Sequence, residues 1–148
     1  MEHQFLQKRE VAPVLEKEKI EQISRFNFNV LENSINTIPD AEEREQVMSF
    51  LNELKEDCQN YINVDKFYQK AKHDLQEVSA GDNEAREGAL AELENWIFSL
   101  TSKKNVIVDG LSILSRLFES YGLDTSWQRG FANEQDFKEW VVERNKEL

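Results

Sequence analysis

The chain is 148 residues long, with 29 acidic and 18 basic side chains and a net charge of -11. That length suits one domain, and 39% apolar with 32% charged residues is a globular mixture, not a disordered polyelectrolyte or a membrane protein. A single cysteine precludes an internal disulfide, no Cys/His cluster is spaced for zinc, and surplus negative charge opposes direct binding of nucleic acid.

Met1-Glu2-His3-Gln4 is polar and no apolar core follows it, so no secretory signal is expected. The most hydrophobic stretch, residues 106–121, is interrupted by Asp109, Arg116 and Glu119 and is not expected to cross a bilayer. The chain therefore reads as cytoplasmic, or as working in a host cytoplasm if encoded by a virus or delivered there.

Five glycines and two prolines leave few places for the chain to turn, and helix formers dominate, which predicts an all-α fold. Residues 1–13 read as an N-terminal arm ended by Pro13, and residues 14–148 as the helical domain. A first helix over 14–36 carries Ile20, Ile23, Val30, Leu31 and Ile35 at three- and four-residue steps. Pro39 breaks it. Asp40 with Glu43 resembles a capping box at the start of a second helix, whose stripe is Val47, Leu51, Leu54, Cys58 and Tyr61.

Asn63-Val64-Asp65 suggests a pause before a third helix with Phe67, Ala71, Leu75 and Val78 on one face. Gly81-Asp82-Asn83 is the clearest turn in the chain. A fourth helix over 84–102 packs Leu90, Leu93, Ile97 and Leu100, with Trp96 near the stripe and Lys103-Lys104-Asn105 as its stop. A fifth over 106–120 shows a broad apolar arc that includes Ile107, Leu111, Ile113, Leu114, Leu117 and Phe118, and is expected at the centre of the bundle. Gly122 ends it, 123–132 reads as a loop, and Asn133 caps a last helix carrying Phe137, Trp140 and Val141. The expectation is a compact single-domain bundle of about six helices.

Catalytic chemistry finds little support. Cys58 sits in a core stripe beside Glu56 and Asp57, which oppose thiolate formation. His73 has only Glu77 at helical spacing, and the chain lacks a Glu-x-x-His, a phosphate loop or a nucleophile elbow. No catalytic residue, metal ligand or cofactor is expected.

Two features point to docking instead. Glu42, Glu43, Glu45, Glu53, Glu56 and Asp57 crowd the second helix, and Glu84 and Glu87, with Glu92 and Glu94, crowd the fourth. Carboxylates fixed on helices steer a basic partner and suit a site built for phosphates. Trp127, Arg129 and Phe131 in the last loop are residue types that carry interface energy, although aromatics equally pin a loop to a core.

The function expected is a non-enzymatic, acidic interaction module, an inhibitor or antagonist of the immunity or anti-defence type, that binds a basic protein at its nucleic-acid site. The alternative is an assembly or chaperone-like subunit that oligomerises through apolar and aromatic surface.

Overall fold

The computed structural model describes residues 26–148, and these form four α-helices with no strand. They are α1 (Phe28–Ile35), α2 (Ala41–Glu77), α3 (Asn83–Ser120) and α4 (Glu134–Asn145). The arm at 1–13 and the stripe positions Ile20 and Ile23 lie outside the described residues.

The all-helical expectation holds for these residues, but the helix count does not. The second and third expected helices are one 37-residue helix, and the fourth and fifth are one 38-residue helix. Asn63, Asp65 and Asn105 are weak helix formers that lower local stability by fractions of a kcal/mol each, about 0.7 at most, without preventing helical backbone, and Lys103 and Lys104 are good helix formers. Tertiary contact also compensates, since Asp65 pairs with Lys138 of α4 at 3.2 Å. The chain turns where Pro39, Gly81 and Gly122 stand.

Each helix start is capped by its own sequence. Asn27, Asp40, Asp82 and Asn133 accept from first-turn N–H groups at 2.8–3.0 Å. The reciprocal half of the expected capping box is replaced by a tertiary contact, because Glu43 faces the Tyr121 hydroxyl. Gly122, at φ +68°, ends α3 in a Schellman turn: Leu123 N–H donates to Phe118 O at 2.8 Å and Gly122 N–H to Glu119 O at 3.0 Å.

α2 and α3 form an antiparallel hairpin about 55 Å long at 1.5 Å per residue. The short α1, the 123–133 loop and α4 pack against only its proximal half. There the core contains Val47, Leu51, Leu54, Cys58 and Tyr61 from α2 and Ile107, Leu111, Leu114 and Phe118 from α3. The α2 stripe read from sequence is buried throughout, and of the α3 arc Ile107, Leu111, Leu114 and Phe118 are buried while Leu117 is partly so.

Elsewhere the stripes are corrected. Val30 is exposed, because the eight-residue α1 faces α2 through Phe28, Leu31 and Ile35 alone. Phe67, Leu90 and Ile97 are exposed because, among the described residues, no third element covers them on the distal half of the hairpin. Ile113 is exposed because α3 is covered on part of its apolar arc, not around the whole of it.

An aromatic cluster closes the body. Phe26 meets Phe28, Trp127 and Trp140 edge-on at centroid distances of 5.0–5.5 Å, and Phe131 meets Phe137 and Trp140. Arg144, only 6% exposed, lies over the rings of Phe26 and Trp140, donates to Phe26 O, and has its Nε 3.1 Å from Glu147. Burial pulls its pKa below the ordinary value while Glu147 and Glu143 push it back.

Replacing Arg144 by Met keeps an apolar stem beside the rings but leaves Phe26 O without its donor and Glu147 without its ion-pair partner. Urea unfolding should report a loss of about 1–3 kcal/mol. Unchanged stability would show that the guanidinium contributes nothing beyond its stem.

Candidate protein-docking surface

The carboxylates singled out in the sequence fall into separate places. Glu42, Glu43 and Glu45 occupy the first turn and a half of α2, at the body end of the hairpin. Glu53, Glu56 and Asp57 follow two to four turns later. Glu84, Glu87, Glu92 and Glu94 lie on the N-terminal half of α3, beside the end of α2. Antiparallel pairing thus puts about 20–35 Å of helix between Asp57 and the carboxylates from Glu94 to Glu84. The two acidic groups are not one face.

Around Glu53 and Asp57 the structure adds residues that composition alone does not bring together. Among the described residues, a groove of about 280 Å³ is lined by α2 and α3, with Leu54 and Gly110 at its base, Phe50, Val106 and Ile113 as apolar walls, and Glu53, Asp57 and Asp109 as charged rim. In the sequence Asp109 is legible only as part of a polar sector of α3. Its place opposite Glu53 follows from the register of the hairpin, which no single-helix pattern contains.

Two local costs sit in this groove. Glu53 and Asp57 are like charges at i and i+4, which destabilises a helix by about 0.2–0.5 kcal/mol. Gly110 lies inside α3, where glycine costs about 1 kcal/mol relative to alanine. A Cβ at Gly110 would stand 3.5 Å from Leu54 Cδ1, an ordinary contact, so packing does not demand the glycine. Burial, followed by the charge of Glu53, raises the Asp57 pKa, and Lys103 opposes the shift. Among the described residues no cation stands within ion-pairing distance of Glu53, Asp57 or Asp109.

The aromatic loop serves the body. Trp127 is buried, donates its indole N–H to Asp124 O at 2.9 Å, and meets Phe26 and Phe118 edge-on. Its ring is core and offers no contact surface. Arg129 pairs with Asp136 and lies over the half-buried Phe131 ring at 5.0 Å. Gln128 accepts from the buried Ser115 hydroxyl at 2.6 Å. A wider opening of about 590 Å³ separates this loop from α3, but both cations lining it are already engaged, Lys104 by Glu134 and Arg129 by Asp136.

The distal hairpin exposes a different surface. Phe98 is 75% and Phe67 53% exposed, Phe67 stacking on Trp96 at 5.0 Å, with Leu90 and Ile97 also in solvent. His73 lies on this arm, exposed, 3.6 Å from Glu77. Among the described residues no group of three or more His, Cys, Asp or Glu side chains is placed to hold a metal ion, and no helix is long and apolar enough to cross a membrane.

No protein-family model, no curated protein and no solved structure matches this chain.

Cys58 is fully buried, and burial, with a smaller contribution from Asp57, pushes its thiol pKa up to about 12. A disulfide reagent such as Ellman's should therefore leave the folded protein unmodified at pH 8 and react completely in denaturant. Rapid reaction of the native protein would contradict the burial of this side chain.

Proposed function

We propose that this protein is a non-enzymatic interaction module of the inhibitor or antagonist kind, which binds a basic protein partner and occupies the partner's phosphate-binding surface. The observation that carries this reading is the set of carboxylates on α2 and α3, fixed by helical backbone and, among the described residues, without paired cations around Glu53, Asp57 and Asp109. Preformed negative charge of this sort accelerates encounter with a basic surface and favours one orientation. The charge of -11 supports the same reading, since it repels nucleic acid and attracts the proteins that bind it. Blocking or tethering such a partner requires no covalent step, and the inert Cys58 and solvent-exposed His73 are consistent with that.

Affinity capture from the native host should recover a protein of high pI. It should be released as salt rises from about 0.1 to 0.5 M, where the screening length falls well below its ~10 Å value at 0.1 M. Retention of the partner through that range would count against charge as the basis of recognition.

The distal arm favours a second reading, assembly with another chain. Phe67, Leu90, Ile97 and Phe98 form an apolar surface on a two-helix extension that has no covering element among the described residues. Sedimentation velocity over about a hundredfold range of concentration tests self-assembly. This reading expects an oligomer that Phe98→Asp with Ile97→Asp dissolves, whereas a monomer at every concentration removes self-association.

A further inference from the structure

The groove between α2 and α3 differs from the rest of the acidic surface because it has an apolar floor. Gly110 stands between Val106 and Ile113 on successive turns of α3, directly over the buried Leu54, whose Cδ1 would lie 3.5 Å from a Cβ at that position. Phe50 forms the opposite wall. The volume of about 280 Å³ lies just under the ~300–1,000 Å³ range of small-molecule pockets, and the groove is open to solvent. Those dimensions suit the side chains of a docked helix more than a buried ligand.

The rim restricts the occupant further. Glu53 and Asp57 are one turn apart on α2, and Asp109 faces them from α3. All three are acidic and none has a cation within pairing distance among the described residues. A second copy of this chain on a twofold axis would bring the same three carboxylates against each other. The chain's own residues 1–25 carry equal numbers of acidic and basic side chains, so they supply no surplus positive charge. A helix with an aliphatic stripe flanked by lysine or arginine answers both the floor and the rim.

We propose that this groove is the docking site for a basic amphipathic helix of the partner, with aliphatic side chains between Phe50, Val106 and Ile113 and cationic ones on Glu53, Asp57 and Asp109. The proposal rests on the basic-partner reading and narrows it to one face of the hairpin. It also gives Gly110 a role that packing does not, since the absent Cβ deepens the floor. The like-charge pair on α2 acquires a role as well: a bound cation relieves its repulsion, so part of the affinity is already stored in the free protein.

The test uses the full chain and a fluorescein-labelled synthetic helix with leucines along one face and lysines on its flanks. A second helix with glutamates in place of the lysines serves as control. Fluorescence anisotropy should show the lysine helix binding and the glutamate helix not binding. Glu53→Gln with Asp57→Asn and Asp109→Asn should weaken binding about tenfold, in line with the loss of several exposed charge pairs. Val106→Ser with Ile113→Ser, at positions exposed enough to keep the fold intact, should weaken it by a similar factor. Glu84→Gln with Glu87→Gln and Glu92→Gln should change it by less than about twofold, because those groups lie far along the hairpin.

If the distal substitutions weaken binding as much as the groove ones, attraction is general to the surface; the groove proposal is then wrong while the basic-partner reading stands. Failure of the lysine helix to bind the wild-type protein overturns the groove proposal outright. So does a wild-type dimer that Val106→Ser with Ile113→Ser dissolves, which assigns the groove to a second copy. A benzophenone photoprobe at position 113 that crosslinks to residues 1–25 of the same chain assigns the groove to that segment and overturns the proposal equally. Salt-resistant capture of the native partner, by contrast, removes the basic-partner reading itself.

Discussion

The body of this protein depends on the burial of one positive charge among aromatic rings. Arg144 leaves water at a desolvation cost that only good partners offset, and it has three kinds: the Phe26 carbonyl, the Glu147 carboxylate, and the faces of Phe26 and Trp140. The same Glu147 accepts from Phe28 N–H at 2.9 Å. One short stretch at the end of α4 therefore fixes the entry of the chain into α1, and the rings above it orient Trp127 and the loop. Remove that clasp and α1, the loop and α4 lose their common anchor, while the α2–α3 pairing keeps its own.

This division explains the uneven surface. Against the proximal hairpin, short elements cover the α2 and α3 stripes and the core is continuous from Phe26 to Val141. Beyond the ion pairs that Asp65 and Lys104 make with α4, the two helices have only each other among the described residues. A two-helix contact buries one stripe per helix, so apolar residues outside the seam, such as Phe67 and Phe98, stay in water. The groove lies on the better-supported half, where its walls are held by a rigid core. This matters for recognition, because a site on a stiff scaffold loses less conformational freedom when it is filled.

How much of the fold and the groove is legible in the sequence depends on the range of the signal. Caps at Asp40, Asp82 and Asn133, the turn at Gly81 and the stripe from Val47 to Tyr61 are set by residues within a few positions of one another, and they can be read directly. The breaks expected at Asn63 and Lys104 do not occur, because asparagine is only a weak helix former and lysine a good one, and neither ends a helix unless backbone geometry or competing hydrogen bonds enforce it. Glycine and proline do that here; these asparagines and lysines do not. The long-range facts have no sequence signal to find. Phe26 is as apolar as Phe28, but nothing near it foretells an arginine 118 residues later. Asp109 is one polar residue among several until the hairpin register sets it across from Glu53. Trp127 and Arg129 are ambiguous because the composition that builds an interface also pins a loop, and the structure commits Trp127 to the core.

The meeting of Phe26 with Arg144 also imposes an order on biosynthesis. Arg144 follows the end of α3 by 24 residues, so a ribosome releases the whole α2–α3 hairpin first, while Phe26 and the inner faces of α1 and α2 remain without the cover of α4. For that interval the nascent chain presents the very rings that the finished body hides. A chain interrupted short of Arg144 stays in that open state, which makes it a substrate for chaperones and proteases where the completed protein is not.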